Sequence, residues 1–239
     1  SHLSKKFGLT YKDIEGDGFQ IDHKIKILTG SDTSENISKS MGRLMGKLAD
    51  IFKEEKPELL LILGDRYEIF AAASSAMVAR IPIAHIHGGE KTEGVIDDAI
   101  RHSITKMSHF HFVAHNEYKT RVIQLGEDSK KIFTVGGLGV DCIKNTQLLN
   151  ANELQKSLNF VFGEKNLLVT FHPVTLEKGS SKLQMKELLS ALSELKKTHI
   201  IFTMPNADPE NEVIISMIKD FVKQHKNSKL FASLGQIRY

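Results

Sequence analysis

Short apolar runs alternate with stretches of helical periodicity along most of the chain. The run at 59–63 predicts a strand buried on both faces of a parallel sheet, and the run at 81–86 predicts another strand. Residues 34–55 predict a helix, because Ile37, Met41, Leu44, Leu48 and Ile51 recur at helical spacing. This alternation is typical of an α/β fold with doubly wound parallel sheets.

The predicted elements fall into two groups, separated by polar sequence at 144–156. We therefore expect an N-terminal Rossmann-like domain at 1–148 and a second Rossmann-like domain at 149–239. The first should contain strands at 19–28, 59–63, 81–86, 110–114 and 132–135, with helices at 34–55, 67–79, 97–107 and 117–125. The second should contain strands at 167–171, 199–203 and 229–232, with helices at 181–196 and 210–225.

Composition narrows the class of protein. Of 239 residues, 41% are hydrophobic and 26% charged, which is ordinary for a globular protein. The net charge of +3 is spread along the chain, so no nucleic-acid partner is expected. No apolar stretch reaches the roughly 18 residues needed to span a bilayer, and the N-terminus lacks a signal peptide's apolar core. With a single cysteine, Cys142, the chain is expected to be cytoplasmic, without a membrane partner.

Charged residues follow two neighbouring predicted strands, where each strand ends. The run at 59–63 stops at Gly-Asp-Arg, and the run at 81–86 stops at His-Gly-Gly-Glu before an acidic helix start. Ligands of open α/β sheets bind outside the carboxyl ends of the strands. These side chains are therefore expected to share one cleft: Asp65, Arg66, His87, Glu90, Asp97 and Arg101. Taken singly, each also has a structural interpretation, such as a loop salt bridge or a charge that complements a helix dipole.

Polar residues also follow two predicted strands of the second domain. His172 comes after the strand at 167–171, and Asn206 after the strand at 199–203. Both are candidates for contact with a ligand between the domains. The alternatives remain open, since His172 precedes a proline and fits a structural histidine, and Asn206 fits a turn residue beside Pro205.

Two further patterns bear on whether the chain binds a metal or a dinucleotide. Alternating histidines at His85, His87, His109 and His111 suggest a zinc site, but the glycines and acids between them favour an organic ligand. Gly136, Gly137 and Gly139 do not have the GxGxxG spacing of a dinucleotide-binding turn. We therefore expect no metal and no cofactor.

The runs GDRYEIF, HIHGGEKTEGVIDDAIRHSITKMSHFHF, HPVT and MPNAD resemble the hydrolysing UDP-N-acetylglucosamine 2-epimerases of sialic and nonulosonic acid biosynthesis. The resemblance covers most of the chain. It implies a glycosyltransferase-B-like fold with a UDP-sugar in the interdomain cleft. Family members form dimers, so the resemblance also implies a homodimer. Non-hydrolysing relatives carry an acid where this chain has His87.

The same resemblance implies an activity: release of UDP and N-acetylmannosamine by elimination and rehydration. It assigns catalytic roles to Asp65, Glu90, Asp97, Arg101 and His172, without settling which carboxylate is the acid and which the base. It assigns substrate binding to Arg66, His87, Asp98, His102, His172, Asn206, Ser233 and Leu234.

Three other functions stay open on the sequence. The first is the same reaction on a UDP-2,4-diacetamido-2,4,6-trideoxyhexose, the second a nonreactive nucleotide-sugar binding protein, and the third a glycosyltransferase of the same fold. The resemblance also implies a first strand with a phosphate loop before Ser1 and a glycine-serine loop after Tyr239. These 239 residues alone are therefore expected to be insoluble or inactive.

Overall fold

The computed structural model describes residues 2–5, 8–28, 30, 33–172, 179–205 and 211–239. The chain divides into two compact units, each with its own parallel sheet. The first unit contains Ser34–Asn145, and the second contains Thr146–Tyr239. The described residues up to Lys26 group with the second unit, whereas the sequence placed them in the first domain.

The first unit alternates strands and helices in the predicted order. Its elements are α2 (Ser34–Glu55), β1 (Leu60–Leu63), α3 (Tyr67–Val78), β2 (Ile83–Ile86), α4 (Ile96–Met107), β3 (Phe110–Val113), α5 (Asn116–Gln124), a 3₁₀ turn (Ser129–Lys131), β4 (Ile132–Thr134) and α6 (Leu138–Asn145). The strands run parallel in the order β1-β2-β3-β4. The sheet order therefore follows the chain order, and β2 lies between β1 and β3.

One face of this sheet carries the core. The register aligns Ile62, His85, His111 and Ile132 across the four strands, and all four side chains are buried. Helices α2, α3 and α4 pack on Ile62 and Ile83, and α5 packs on Val113 and Ile132. Two histidines thus lie in a row that is otherwise apolar.

The opposite face of the sheet is partly exposed: Leu61 and Leu63 are 60% and 51% accessible, whereas Ala84 is buried and Phe133 stacks on Phe112. The prediction that 59–63 is buried on both faces is therefore wrong for the described residues. An apolar run specifies a strand that can be covered on both faces, but burial depends on what packs there.

The second unit has helices on both faces of its sheet. It contains α1 (Tyr11–Gly16), α7 (Ala151–Leu158), β5 (Lys165–Val169), α8 (Ser181–Ser193), β6 (Thr198–Thr203), α9 (Asn211–Gln224), β7 (Ser228–Phe231) and α10 (Gly235–Arg238). The strand order is β5-β6-β7, and all pairs are parallel. Ile200 and Phe202 face α8 and α9, whereas Ile201 packs with Leu158 and Leu234 on the other side.

The strand predicted at 19–28 is wrong, because the described residues there form no strand. Phe19 is 67% exposed despite its place in an alternating pattern. A strand requires a hydrogen-bonding neighbour, and no described strand pairs with this segment. Alternation alone therefore does not determine it.

Candidate functional site

The turn after β1 presents Asp65 and Arg66 at the carboxyl end of the strand. Gly64 has a φ of 83°, a left-handed conformation that glycine adopts without strain. Arg66 directly precedes α3, and its Nε lies 3.4 Å from Glu68 Oε2. Its guanidinium also lies 5.6 Å from the centre of the Tyr67 ring. Asp65 and Arg66 therefore leave the strand end together, with Arg66 held beside the first turn of α3.

The turn after β2 is held closely by its surroundings. The backbone N–H of His87 donates to Phe112 O at 2.9 Å, and Arg121 on α5 donates to Gly89 O. Gly89 has a φ of 79°, and a Cβ there would lie 2.4 Å from Tyr118 O. Only glycine fits at this position, so α5 fixes the path of the His-Gly-Gly-Glu turn.

Arg101 connects the two strand ends from α4. Its side chain is 5% exposed, and Nη2 donates to Asp65 Oδ2 and, at 3.0 Å, to Thr92 Oγ1. Nη1 donates to Glu90 O at 2.9 Å and lies 3.5 Å from Asp98 Oδ1. One nearly buried guanidinium therefore joins the β1 turn, the β2 turn and the first turn of α4.

The first turn of α4 carries Asp97 and Asp98. Asp98 accepts the backbone N–H of Thr92 at 2.9 Å, and its Oδ2 lies 3.7 Å from His102 Nε2. Asp98 thus fastens the loop after Glu90 to the helix. Asp97 is half-buried on the same turn, where a carboxylate also complements the positive end of the helix dipole.

His87 and Glu90 form a hydrogen-bonded pair within the β2 turn. Nδ1 of His87 lies 2.8 Å from Glu90 Oε1. The two side chains are 26% and 34% exposed, so both are accessible to a ligand. His87 has a φ of 65°, a strained conformation for a residue with a Cβ.

His85 lies beneath these turns, fully buried on β2. Its Nε2 is 2.9 Å from Gly64 O, which accepts, so Nε2 carries the proton. Nδ1 lies 3.3 Å from Thr105 Oγ1, whose own proton is donated to Arg101 O at 3.0 Å. Burial lowers the pKa of His85 from 6.5 to about 4, although the Gly64 hydrogen bond opposes the shift. A Cβ at Gly88 would lie 3.1 Å from His85 Nδ1. Neutral His85 therefore supports the turn that carries Asp65 and packs against Gly88.

A second buried histidine lies beside it on β3. Nε2 of His111 is 3.3 Å from Glu127 Oε2, and Glu127 also pairs with Lys106. Burial lowers the pKa of His111, and the Glu127 carboxylate opposes that shift. This pair ties β3 to the loop after α5.

The candidate residues of the second unit lie at its own strand ends. His172 is exposed after β5, and Asn206 lies outside the described residues. Ser233 is exposed after β7, where its Oγ accepts the Gly235 N–H at 3.3 Å. Leu234 is 4% exposed and packs with Leu158 and Ile201, so its side chain belongs to the core.

The structure thus brings Asp65, Glu90, Asp98, Arg101 and His102 into one network through hydrogen bonds and ion pairs, and His87 joins it through Glu90. Sequence reasoning missed Thr92, Thr105 and Arg121, which contact this network. Polar residues of these types carry no distinctive sequence signal. Only their place beside the predicted turns indicates them.

No helix in the described ranges is long and apolar enough to cross a membrane. Nor does any group of three or more His, Cys, Asp or Glu side chains in that part of the chain have the arrangement of a metal site.

Two Rossmann-like units with parallel sheets define an α/β protein of the glycosyltransferase-B-like class, which confirms the predicted fold class. The profile of the family described as UDP-N-acetylglucosamine 2-epimerase matches residues 1–239. The chain belongs to this family, as its motifs suggested.

Two curated relatives and one solved structure show the extent of the similarity. The chain is 42% identical to the GDP/UDP-N,N'-diacetylbacillosamine 2-epimerase (hydrolyzing) of Campylobacter jejuni, across 100% of this chain and 62% of that protein. It is 33% identical to the UDP-N,N'-diacetylbacillosamine 2-epimerase (hydrolyzing) of Legionella pneumophila, across 92% of this chain and 58% of that protein. The chain therefore spans about three fifths of the length of these relatives.

The solved structure is the UDP-GlcNAc 2-epimerase of Neisseria meningitidis bound to UDP-GlcNAc. It matches with a TM-score of 0.72 at 18% identity, across 93% of this chain and 61% of that one. At this identity the likeness establishes the fold.

Proposed function

We propose that the protein is a hydrolysing 2-epimerase of a UDP-activated 2-acetamido sugar. The observation that supports this most directly is the network around Arg101, which holds Asp65, Asp98 and the Glu90 backbone at the carboxyl ends of two neighbouring parallel strands. Enzymes with open α/β sheets bind their ligands at this edge. Relatives named as hydrolysing 2-epimerases support the reaction type.

The proposed reaction has two stages. In the first, the C2 proton is removed, the C1–O bond breaks, and UDP leaves with the bonding electrons, so that a C1=C2 glycal forms. In the second, water adds its hydroxyl to C1, and a proton is delivered to C2 from the opposite face. Each proton transfer is worth roughly 10²–10⁴ in rate when a positioned side chain performs it.

We assign the sugar chemistry to the charged network and the nucleotide to arginine, histidine and amide groups. Asp65, Glu90 and Asp97 are the proposed proton-transfer carboxylates, and Arg101 orients them. Arg66, His172 and Asn206 are proposed to contact the UDP. Arginine suits this role, because its planar guanidinium donates two parallel hydrogen bonds to phosphate oxygens.

Two sugars are candidates for the substrate. UDP-N-acetylglucosamine is the substrate that the sequence motifs imply. UDP-N,N'-diacetylbacillosamine, a 2,4-diacetamido sugar, is favoured by the names of two relatives at 42% and 33% identity. Both carry the 2-acetamido group and the C2 proton that the proposed reaction needs.

The test is a product assay in deuterated water with each UDP-sugar, followed by NMR. The full-length gene product should release UDP and a free sugar of inverted C2 configuration, with solvent deuterium at C2. The better substrate is the one with the higher kcat/KM. Release of UDP without deuterium at C2 would contradict elimination and rehydration.

Asp97→Asn tests the assigned carboxylate. The substitution removes the negative charge with little change in volume, and it should lower UDP release at least about 10²-fold if Asp97 transfers a proton. Asp50→Asn is the matched control, because Asp50 is exposed on α2, and its rate should equal that of the wild type. Turnover of Asp97→Asn within a fewfold of the control would remove Asp97 from the mechanism.

The alternative is a protein that binds nucleotide sugars without reacting. It predicts saturable binding of the UDP-sugar by calorimetry and no UDP release at any enzyme concentration. We also propose a homodimer, which sedimentation of the full-length protein at several concentrations would test.

A further inference from the structure

The hydrogen bond between the His87 and Glu90 side chains points to a different division of roles from the one above, in which Glu90 transfers a proton. Glu90 Oε1 lies 2.8 Å from His87 Nδ1. An ionised carboxylate only accepts hydrogen bonds, so Nδ1 carries the proton in the neutral imidazole. The lone pair is then on Nε2, which makes no hydrogen bond to any residue in the described ranges. The arrangement is that of a histidine base oriented by a carboxylate.

The pair is not needed to close the turn. The His87 N–H is bonded to Phe112 O, the Gly89 carbonyl accepts from Arg121, and the Glu90 carbonyl accepts from Arg101 at 2.9 Å. These three contacts fix the backbone from β3, α5 and α4 in turn. The side chains of His87 and Glu90 remain partly exposed above a turn that is already held.

The backbone at His87 gives a second, independent indication. Its φ of 65° places a side chain in the left-handed region, which has a conformational cost for a residue with a Cβ and is maintained here by the fixed turn. Glycine would adopt this conformation without that cost. Strain of this kind is concentrated at functional sites, where it directs a side chain.

The neighbouring carboxylates of Asp65 and Asp98 have other partners. Asp65 bonds to Arg101, and Asp98 accepts the Thr92 N–H and lies against Arg101 and His102. Glu90 is the carboxylate in this network that bonds to an imidazole through its side chain. The pair therefore combines a proton acceptor with a group that stabilises the resulting imidazolium.

We propose that His87 Nε2 removes the C2 proton of the substrate and that Glu90 is its positioning residue, in place of the proton-transfer role given to Glu90 above. This proposal rests on the proposed function. As the C2–H bond breaks, its electrons form the C1=C2 bond, the C1–O bond breaks, and UDP leaves with that electron pair. The proton passes to Nε2, and the imidazolium is stabilised by Glu90 until it returns the proton to solvent.

The first experiment compares His87→Asn with the wild type. Asparagine tolerates the left-handed backbone but does not act as a base at neutral pH. The variant should lose roughly 10²–10⁴ in kcat, as expected for one proton transfer, while KM changes only a fewfold. A kcat within tenfold of the wild type, in a variant with the wild-type circular dichroism spectrum, would overturn the proposal.

Chemical rescue separates a base from a structural residue. His87→Ala leaves space for added imidazole, which should restore UDP release with saturation. Asp65→Asn is the matched control, since it disables another part of the network and imidazole should not restore it. Rescue absent in a folded His87→Ala, or equal in both variants, contradicts the assignment. If His87→Ala does not fold, His87→Asn and the double variant described next decide.

The positioning role of Glu90 is tested by a double-mutant cycle. Glu90→Gln should lower kcat less than His87→Asn does, and the double variant should be no slower than His87→Asn alone, because Glu90 acts through the imidazole. Independent, multiplicative losses would instead make Glu90 a separate proton-transfer group. If the wild type releases no UDP from either sugar, the proposed function fails, whereas an active wild type with an active His87→Asn refutes the role of His87 alone.

Discussion

Buried His85 should make the protein sensitive to mild acid in a way that one substitution removes. Burial holds its pKa at about 4, below the ordinary value of 6.5. Between these values the unfolded chain binds a proton that the folded protein does not. The free energy of unfolding therefore decreases as the pH falls from 6.5 to 4, and this group contributes no further loss below pH 4.

The magnitude follows from the size of the shift. A difference of one pKa unit corresponds to about 1.4 kcal/mol, so the full shift corresponds to about 3 kcal/mol of stability lost across this range. Protonation also makes Nδ1 a donor. The Thr105 oxygen, whose own proton is donated to Arg101 O at 3.0 Å, can then accept from Nδ1.

The test is His85→Gln, since glutamine can donate to Gly64 O without titrating. Urea denaturation at several values between pH 4.5 and 7, followed by far-ultraviolet circular dichroism because the chain lacks tryptophan, gives the stability of each protein. The slope of stability against pH should be shallower in His85→Gln by on the order of 1 kcal/mol per pH unit.

Exposed His2 supplies the control, and His2→Gln should run parallel to the wild type because it leaves His85 in place. His111 remains in every protein, so its own titration cancels in the comparison. Equal slopes for His85→Gln and the wild type would show that His85 does not stay neutral in the folded protein, and would refute the reasoning from burial.

Three further predictions concern the network above His85. Gly89→Ala should lower the free energy of unfolding by at least about 2 kcal/mol, because the backbone there is left-handed and the added Cβ would contact Tyr118 O. Gly46→Ala, at an exposed position of α2, is the control and should be neutral or stabilising by up to about 1 kcal/mol. The midpoints of urea denaturation measure both effects. Arg101→Lys should lower the free energy of unfolding by roughly 1–3 kcal/mol and slow UDP release, because an ammonium cannot reach Asp65, Thr92 and the Glu90 carbonyl together. If the variant kept wild-type stability and rate, the positive charge alone would be sufficient. His172→Asn should weaken UDP binding in calorimetry while leaving the urea midpoint unchanged, and unaltered affinity would exclude the nucleotide contact.

The pattern of apolar and polar residues predicted those elements that depend only on residues within one segment. The helix at Ser34–Glu55 matches its predicted bounds, because the apolar residues of its packed face recur in consecutive turns of this one segment. The strand predicted at 19–28 is absent from the described residues because a strand depends on a partner elsewhere in the chain. For the same reason the exposure of Leu61 and Leu63 was not predictable from their own sequence.

A rule about topology predicted which turns carry the candidate residues, and the contacts between those residues depend on packing. Asp65 and Arg101 are separated by 36 positions, yet the carboxyl-end rule placed both at one edge of the sheet. The same rule does not say that Asp98 would bond to the Thr92 backbone or that Leu234 would enter the core. Those outcomes depend on loop conformation and side-chain packing, which the motif does not encode.

Arg101 joins the two turns through its hydrogen bonds. Its contacts include two backbone or hydroxyl oxygens, those of Glu90 and Thr92, besides the carboxylates of Asp65 and Asp98. A nearly buried guanidinium is tolerated only if such acceptors surround it, and they do so only when both turns are in place. Folding of the β2 turn is therefore coupled to the position of Asp65. The positions of His87 and Glu90 therefore also depend on Arg101, because Arg101 donates to the backbone carbonyl of Glu90.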